Sequence, residues 1–217
     1  MPLAGFDLSL SQDCGGKPVV GVDEAGRGPL AGPVTACAAL IPTGAAHLLS
    51  QVDDSKKLTP ARREKAFARM SEAGVLFGFG YALHSEIDSS DILSATFLAM
   101  RRALERLSAS AGRPLSDFVV AVDGSMKIRG LEADQRAIVG GDGKSLAIAC
   151  ASVRAKVLRD RWMARLDGLY PGYGFAGHKG YGSAGHMAAI REKGPSPVHR
   201  LSFAPARRGQ APLKAGV

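Results

Sequence analysis

The segment Pro18-Val-Val-Gly-Val-Asp23-Glu24 constrains this chain more than any other. A short apolar run, β-branched at Val19, Val20 and Val22, reads as a buried central strand, and it stops on two adjacent carboxylates before a Gly26-Arg27-Gly28 turn. Carboxylates beside a core are costly unless a cation or a proton offsets their charge, so a strand that ends this way predicts a site. Phe118–Asp123 repeats the pattern as a second buried strand ending in an acid, and Asp142 stands in the glycine-rich turn Gly140-Gly-Asp-Gly143 that opens a helix. Each of the latter two also has an ordinary structural reading: Asp123-Gly124 is a common hairpin dipeptide, and Asp142 suits a helix N-cap.

The rest of the chain supplies a frame for these acids. Val34–Ile41 and Val75–Leu83 have strand composition, and a shorter strand is expected at Ala137–Val139. Thr59-Pro60 opens a surface helix with Ala66, Phe67 and Met70 at helical spacing. A long helix is expected over Asp88–Leu107, another over Ser145–Leu166, and a last one over Ser183–Lys193. Strands lead and helices follow, which predicts an α/β fold with a mixed central sheet flanked by helices. No internal repeat is present. We expect residues 1–17 to form an N-terminal extension, residues 18–203 one catalytic domain with a helical C-terminal part, and residues 204–217 a loose basic tail.

Lys and Arg number 28 against 20 Asp and Glu in 217 residues, a net charge of +8, which suits a polyanionic partner without identifying one. The stretch from Gly28 to Val52 carries no formal charge, but Pro29, Pro33 and Pro42 punctuate it too often for a membrane helix. Cys14, Cys37 and Cys150 are far apart and form no C-x-x-C pair, and the N-terminus lacks a secretory pattern, so a cytoplasmic protein is expected.

A basic protein that gathers acids at strand ends fits divalent-metal chemistry on phosphates. Hard oxygen ligands suit Mg²⁺ or Mn²⁺, and two such ions can serve phosphodiester hydrolysis, one activating water and the other stabilising the leaving 3′ oxygen.

The segment Gly21-Val-Asp-Glu-Ala-Gly-Arg-Gly-Pro-Leu-Ala-Gly-Pro-Val34 closely resembles the signature of the type 2 ribonucleases H, in particular the bacterial ribonuclease HII family. Ordered matches continue through Asp53-Asp-Ser-Lys-Lys-Leu58, Val122-Asp-Gly124, Gly141-Asp142, Ala151-Ser152, Ala155-Lys-Val157, Arg159-Asp160, His178-Lys-Gly-Tyr-Gly182 and His199-Arg-Leu-Ser-Phe203. The resemblance implies a ribonuclease H-like fold and an endonuclease that cuts the RNA strand of RNA–DNA hybrids. It also implies incision 5′ of ribonucleotides embedded in duplex DNA, leaving 3′-hydroxyl and 5′-phosphate ends. Carried over by position, Asp23, Glu24, Asp123 and Asp142 would be catalytic metal ligands for two Mg²⁺ or Mn²⁺ ions. Asp160 competes for the fourth place, although Lys156, Arg159 and Arg161 beside it favour an ion pair. Gly26, Arg27, Gly28 and Tyr181 would meet the ribose, and Lys56 and Lys57 the phosphates. Ser183 stands where the family often has threonine, and Val153 where isoleucine is usual. A monomer is expected, and the tail Gln210–Val217 has no aromatic pair of the sliding-clamp type.

Two other motifs are decoys. Gly143-Lys144-Ser145 ends like a phosphate-binding P-loop, but Ile138 stands where that motif needs glycine. Gly172-Tyr-Gly-Phe-Ala-Gly177 matches the dinucleotide pattern, yet it follows a helix, so it is expected to be a loop. His178 and His186 lack zinc-hydrolase spacing, which leaves structural or phosphate-facing roles. A noncatalytic nucleic-acid-binding module and a junction-processing nuclease of the same fold remain the rival readings.

Overall fold

The computed structural model describes residues 3–50, 52, 58–204 and 206. A five-stranded mixed sheet organises them, built from β1 (Val19–Ala25), β2 (Val34–Leu40), β3 (Leu76–Ala82), β4 (Val119–Asp123) and β5 (Asp134–Ile138). The strands lie in the order β3-β2-β1-β4-β5. β2 pairs antiparallel with both β1 and β3, whereas β1 with β4 and β4 with β5 run parallel. The helices are α1 (Leu3–Asp13), α2 (Pro60–Glu72), α3 (His84–Ser89), α4 (Ile92–Ala111), α5 (Leu146–Leu169), α6 (Phe175–His178) and α7 (Ala184–Lys193). The α/β class, with a mixed sheet and a helical C-terminal part, is as expected. Among the described residues no helix is long and apolar enough to cross a membrane.

Strand alternation divides the core between the two faces of the sheet. Val20 and Val22 of β1 join Ala36 and Ala38 of β2 in a cluster with Ala99, Ala103 and Leu104 of α4. On the opposite face Cys37 and Ala39 pack with Ala149, Cys150 and Val153 of α5. Helix α5 comes unusually near β1 at Gly21. A Cβ placed there would stand 2.1 Å from the Ala147 carbonyl carbon and 2.2 Å from the Ile148 nitrogen, both backbone atoms of α5. Gly21 thus lets the N-terminal turn of α5 lie against the strand, two residues before Asp23 on the same face.

Three elements differ from the sequence expectation. The helix expected over Asp88–Leu107 is two helices, because Asp91 caps a new start: its Oδ1 accepts from the Leu93 and Ser94 amides at 2.8 and 2.9 Å. The strand expected at Ala137–Val139 begins earlier, at Asp134, and ends at Ile138. Its alternating charged residues fit an edge strand, and its buried Gln135 is satisfied by the backbone of Ile128 and Leu131. Leu3–Asp13 form helix α1, whose Asp7 accepts from the Ala147 amide at 2.9 Å in the first turn of α5. Half-buried on one side and exposed at Leu8, Ser9, Gln12 and Asp13, α1 has weak apolar periodicity and is not legible as a helix.

Gly21→Ala should destabilise the protein by about 1–3 kcal/mol or more, because the opposing atoms are backbone and must move. Urea unfolding of the two proteins reads the difference, and an unchanged midpoint would contradict the close approach.

Candidate active site

The parallel register of β1 and β4 pairs Val22 with Val122, so Asp23 and Asp123 follow one another on neighbouring strands. Alternation sends Asp23 to the α5 face, opposite Cys37 in the pairing with β2. Asp142 arrives from the turn after β5, the strand on the other side of β4. One carboxylate oxygen from each of Asp23, Asp123 and Asp142 lies within 4.8 Å of the others. Neither bland reading of the last two fits. Strand β4 runs parallel to β5, so Asp123-Gly124 is no hairpin, and its Oδ1 accepts from the Gly141 amide at 2.7 Å. Ser145, rather than Asp142, caps α5 by accepting from Ile148 at 3.1 Å.

Burial and crowding make this cluster electrostatically expensive. Asp23 is 5% exposed, and its carboxyl is held well above the usual carboxylate range, first by desolvation and then by Glu24 and Asp123. The Ser152 hydroxyl and the Glu24 amide, the latter 2.7 Å from Asp23 Oδ1, oppose that rise. Glu24 is also raised by burial, with Arg27 pulling it back through an ion pair of 3.6 Å.

Asp160 stands apart from the cluster. Lys156 Nζ is 2.6 Å from its Oδ1 and Arg63 3.9 Å from its Oδ2, the ion-pair role that its helical neighbours suggested. Lys56 and Lys57 lie outside the described residues.

The Gly26-Arg27-Gly28 turn borders the same cleft as Asp23, Glu24, Asp123 and Tyr181. Two buried arginines that the sequence does not single out stand behind it, Arg200 bonded to the turn and Arg159 packed against Gly26 and bonded to the segment that follows. Arg200 is fully buried and donates to the carbonyls of Gly26 at 2.6 Å, Arg27 at 2.9 Å and Gly32 at 3.0 Å. Arg159, 1% exposed, donates to Pro33 at 3.1 Å, Ala31 at 3.3 Å and Lys179 at 3.0 Å. Burial lowers both guanidiniums, to about 10 for Arg159 and about 9 for Arg200. Gly26 has φ +95°, and a Cβ there would fall 1.9 Å from Arg159 Nε, so glycine is required twice over. Tyr181 is half exposed, and its ring edge would lie 3.5 Å from a Cβ built on Gly28. The signals for the clamp were His199-Arg200 and Arg159-Asp160 in the ordered matches, but nothing local marks a buried arginine whose acceptors are distant carbonyls.

The family model described as Ribonuclease HII matches residues 20–206. The chain belongs to the ribonuclease HII family. This endoribonuclease family member is 51% identical over 189 residues to the ribonuclease HII of Geobacter sulfurreducens, covering 87% of this chain and 83% of that protein. It is 50% identical over 208 residues to that of Rhodospirillum rubrum, covering 94% and 92%. Among solved structures it is similar to ribonuclease H2 from Pyrococcus horikoshii, with TM-score 0.71 and 28% identity over 88% of this chain and 96% of that one. The fold is also shared with Bst-RNase HIII, solved in complex with Mn²⁺, at TM-score 0.69 and 18% identity over 89% of this chain and 69% of that one. Enzymes of this family depend on divalent metal.

The raised Asp23 carboxyl makes a prediction about stability without metal. A folded-state value above the unfolded 3.8 means that the metal-free fold gains from protonation at low pH and loses that margin as pH rises through the folded value. Asp23→Asn should therefore raise the melting temperature in chelator at neutral pH, by about 2–4 °C for each kcal/mol of repulsion removed. The gain should shrink toward pH 4, and added Mg²⁺ should stabilise the variant less than the wild type. Calorimetry across pH measures all three, and a lower melting temperature for the variant would contradict the electrostatic account.

Proposed function

We propose that this family member hydrolyses the RNA strand of RNA–DNA hybrids and incises duplex DNA 5′ of an embedded ribonucleotide, leaving 3′-hydroxyl and 5′-phosphate ends. The observation that supports this reading is the convergence of three aspartates within 4.8 Å beside the Gly26–Gly28 turn and an exposed tyrosine. The donor set fits a divalent cation: the ligands are hard oxygens, and Asp23 is held toward its protonated form when no cation offsets its neighbours. Asp23, Glu24, Asp123 and Asp142 would hold Mg²⁺ or Mn²⁺, two ions in the catalytic complex. When bound, such ions supply an activated water and offset charge on the leaving oxygen.

The chain's own residues orient the substrate around that centre. With the Gly26 and Arg27 carbonyls engaged by Arg200, we assign the turn's amides to the ribose, where the 2′-hydroxyl separates RNA from DNA. Tyr181 would add a hydroxyl contact and stack on the adjacent sugar. Arg63, Lys156, Arg161 and Lys179 line a groove beside the cleft and suit the phosphate backbone, as do Lys56 and Lys57 by position in the family pattern. We further propose a monomer working in the cytoplasm, a setting that agrees with free thiols at Cys14, Cys37 and Cys150.

Cleavage of three labelled duplexes tests the reading: all-DNA, RNA–DNA hybrid, and DNA with one ribonucleotide. The expected product is a single cut 5′ of the ribonucleotide with no cleavage of all-DNA. Asp23→Asn and Asp123→Asn should each lower metal-dependent cleavage by at least about 10³-fold, a loss of several kcal/mol in the barrier, with duplex binding largely retained. Cutting of all-DNA at the same rate would instead favour a junction-type nuclease, and binding without any cleavage a noncatalytic module. Tyr181→Phe should weaken the preference for the single-ribonucleotide duplex, and Tyr181→Ala should weaken it further. Equal preference in all three proteins would remove Tyr181 from ribose recognition.

A further inference from the structure

Behind Tyr181 lies a group of histidines that the cleavage chemistry does not use. His186 and His199 are buried, at 0% and 1% exposure, and their Nε2 atoms lie 3.0 Å apart. Two imidazole nitrogens at that distance need one donor and one acceptor, and the surroundings decide which is which. The Ser196 amide, which can only donate, points at His199 Nδ1 from 2.8 Å, the Ser196 hydroxyl at 2.8 Å can donate to the same atom, and the competing acceptor, the Ser196 carbonyl, is farther away at 3.3 Å. His199 therefore presents a lone pair at Nδ1 and carries its proton on Nε2. It donates to His186 Nε2, so the His186 proton resides on Nδ1, 2.9 Å from the Tyr181 carbonyl oxygen. The bonds run in one direction, from Ser196 N–H through His199 and His186 to the backbone of Tyr181.

His178 repeats the logic on the preceding residue. The Gly180 amide donates to His178 Nδ1 at 3.1 Å, which leaves the Nε2 proton for the Tyr173 carbonyl at 2.7 Å. His178 stacks on His186 with ring centroids 4.3 Å apart. The amide of residue 180 and the carbonyl of residue 181 are thus each held by an imidazole nitrogen. An extra proton on His186 or His199, both buried, would set N–H against N–H. Burial, followed by the neighbouring His186, keeps His199 neutral by lowering it to about 4, against an upward pull from the Ser196 backbone and with His84 and His178 adding to the lowering. Burial likewise lowers His186, assisted by His178 and opposed by the Tyr181 carbonyl.

We propose that His199 and His186 form a positioning relay, with fixed tautomers, that sets the backbone of Tyr181 and so the placement of its half-exposed ring against Gly28 at the cleft. The relay rests on the reading of Tyr181 as a ribose contact. Neither histidine touches substrate in this scheme, and their effect passes through Tyr181.

Two measurements test it. Long-range ¹H–¹⁵N spectra of the wild-type imidazoles at neutral pH should show His199 protonated at Nε2 and His186 at Nδ1. Any other tautomer for His186, or a cationic ring, overturns the relay, and this readout needs no variant to fold. In parallel, kcat and KM are compared on the single-ribonucleotide duplex and on the long RNA–DNA hybrid for His186→Leu, His186→Asn and Tyr181→Ala. His186→Leu removes the donor to Tyr181 and should lower the ratio of kcat/KM between the two substrates by about tenfold, the scale of one net hydrogen bond. The asparagine amide of His186→Asn can reach the same carbonyl and should restore most of that ratio. A lowered ratio in Tyr181→Ala with an unaltered ratio in folded His186→Leu overturns the relay alone. An unaltered ratio in Tyr181→Ala overturns the ribose reading, and with it the function of the relay.

Discussion

The parallel pairing of β1 with β4 forces two carboxylates to the same edge of the sheet, and much of the remaining structure accommodates that juxtaposition. Asp23 and Asp123 follow directly on paired valines, so neither can leave the other without breaking strand register. Asp142 is brought in by the turn after the next strand. Three acids held together by backbone geometry cannot relax apart as three surface acids would. The stored repulsion is the electrostatic counterpart of a cation site: the scaffold opposes negative charge in its absence and gains when it is offset.

The second constraint is the turn that follows Glu24. A glycine-rich loop has few side chains with which to anchor itself, and here most of the anchoring comes from residues far away in sequence. Arg200 and Arg159 donate to the carbonyls of residues 26, 27, 31, 32 and 33, replacing the water those carbonyls would otherwise bind. Backbone hydrogen bonds from Leu30 to Gly180, from Gly32 to Val198 and from Arg200 to Leu30 stitch the same segments together. Asp88 then holds the amides of Leu201 and Ser202, tying this C-terminal segment to the end of α3. The helical C-terminal part is therefore the clamp that gives the turn one shape. Its histidine cluster extends that clamp to Tyr181.

Legibility in the sequence followed locality. β1, β4 and the acids at their ends were readable because an apolar β-branched run halting on charge is visible within a few residues. The helix after Asp142 was readable down to Ser145. Helix α1, the early start of β5 and the break at Asp91 were not, because each depends on something outside its own window. α1 is half-buried against a helix that begins more than a hundred residues later, and β5 is an edge strand whose polar side faces solvent. Asp91 was hidden inside a continuous helical pattern that its capping bonds interrupt. The family pattern placed Asp142 beside the other acids, but composition alone left it indistinguishable from a cap. The distance among the three carboxylates separates those two readings.

The sequence alone determined the fold class, the acids offered at strand ends, the glycines beside them and the membership of the family, because each is written in short contiguous segments or in their order. Tertiary structure decided which acids meet, that Asp160 turns instead to Lys156 and Arg63, and that Arg159, Arg200, His186 and His199 stand behind the cleft. The physical reason is range. Periodicity and turn chemistry act over a few residues, whereas the bonds that shape this site join groups up to 174 positions apart, and such pairings exist only once the sheet and α5 have brought them together.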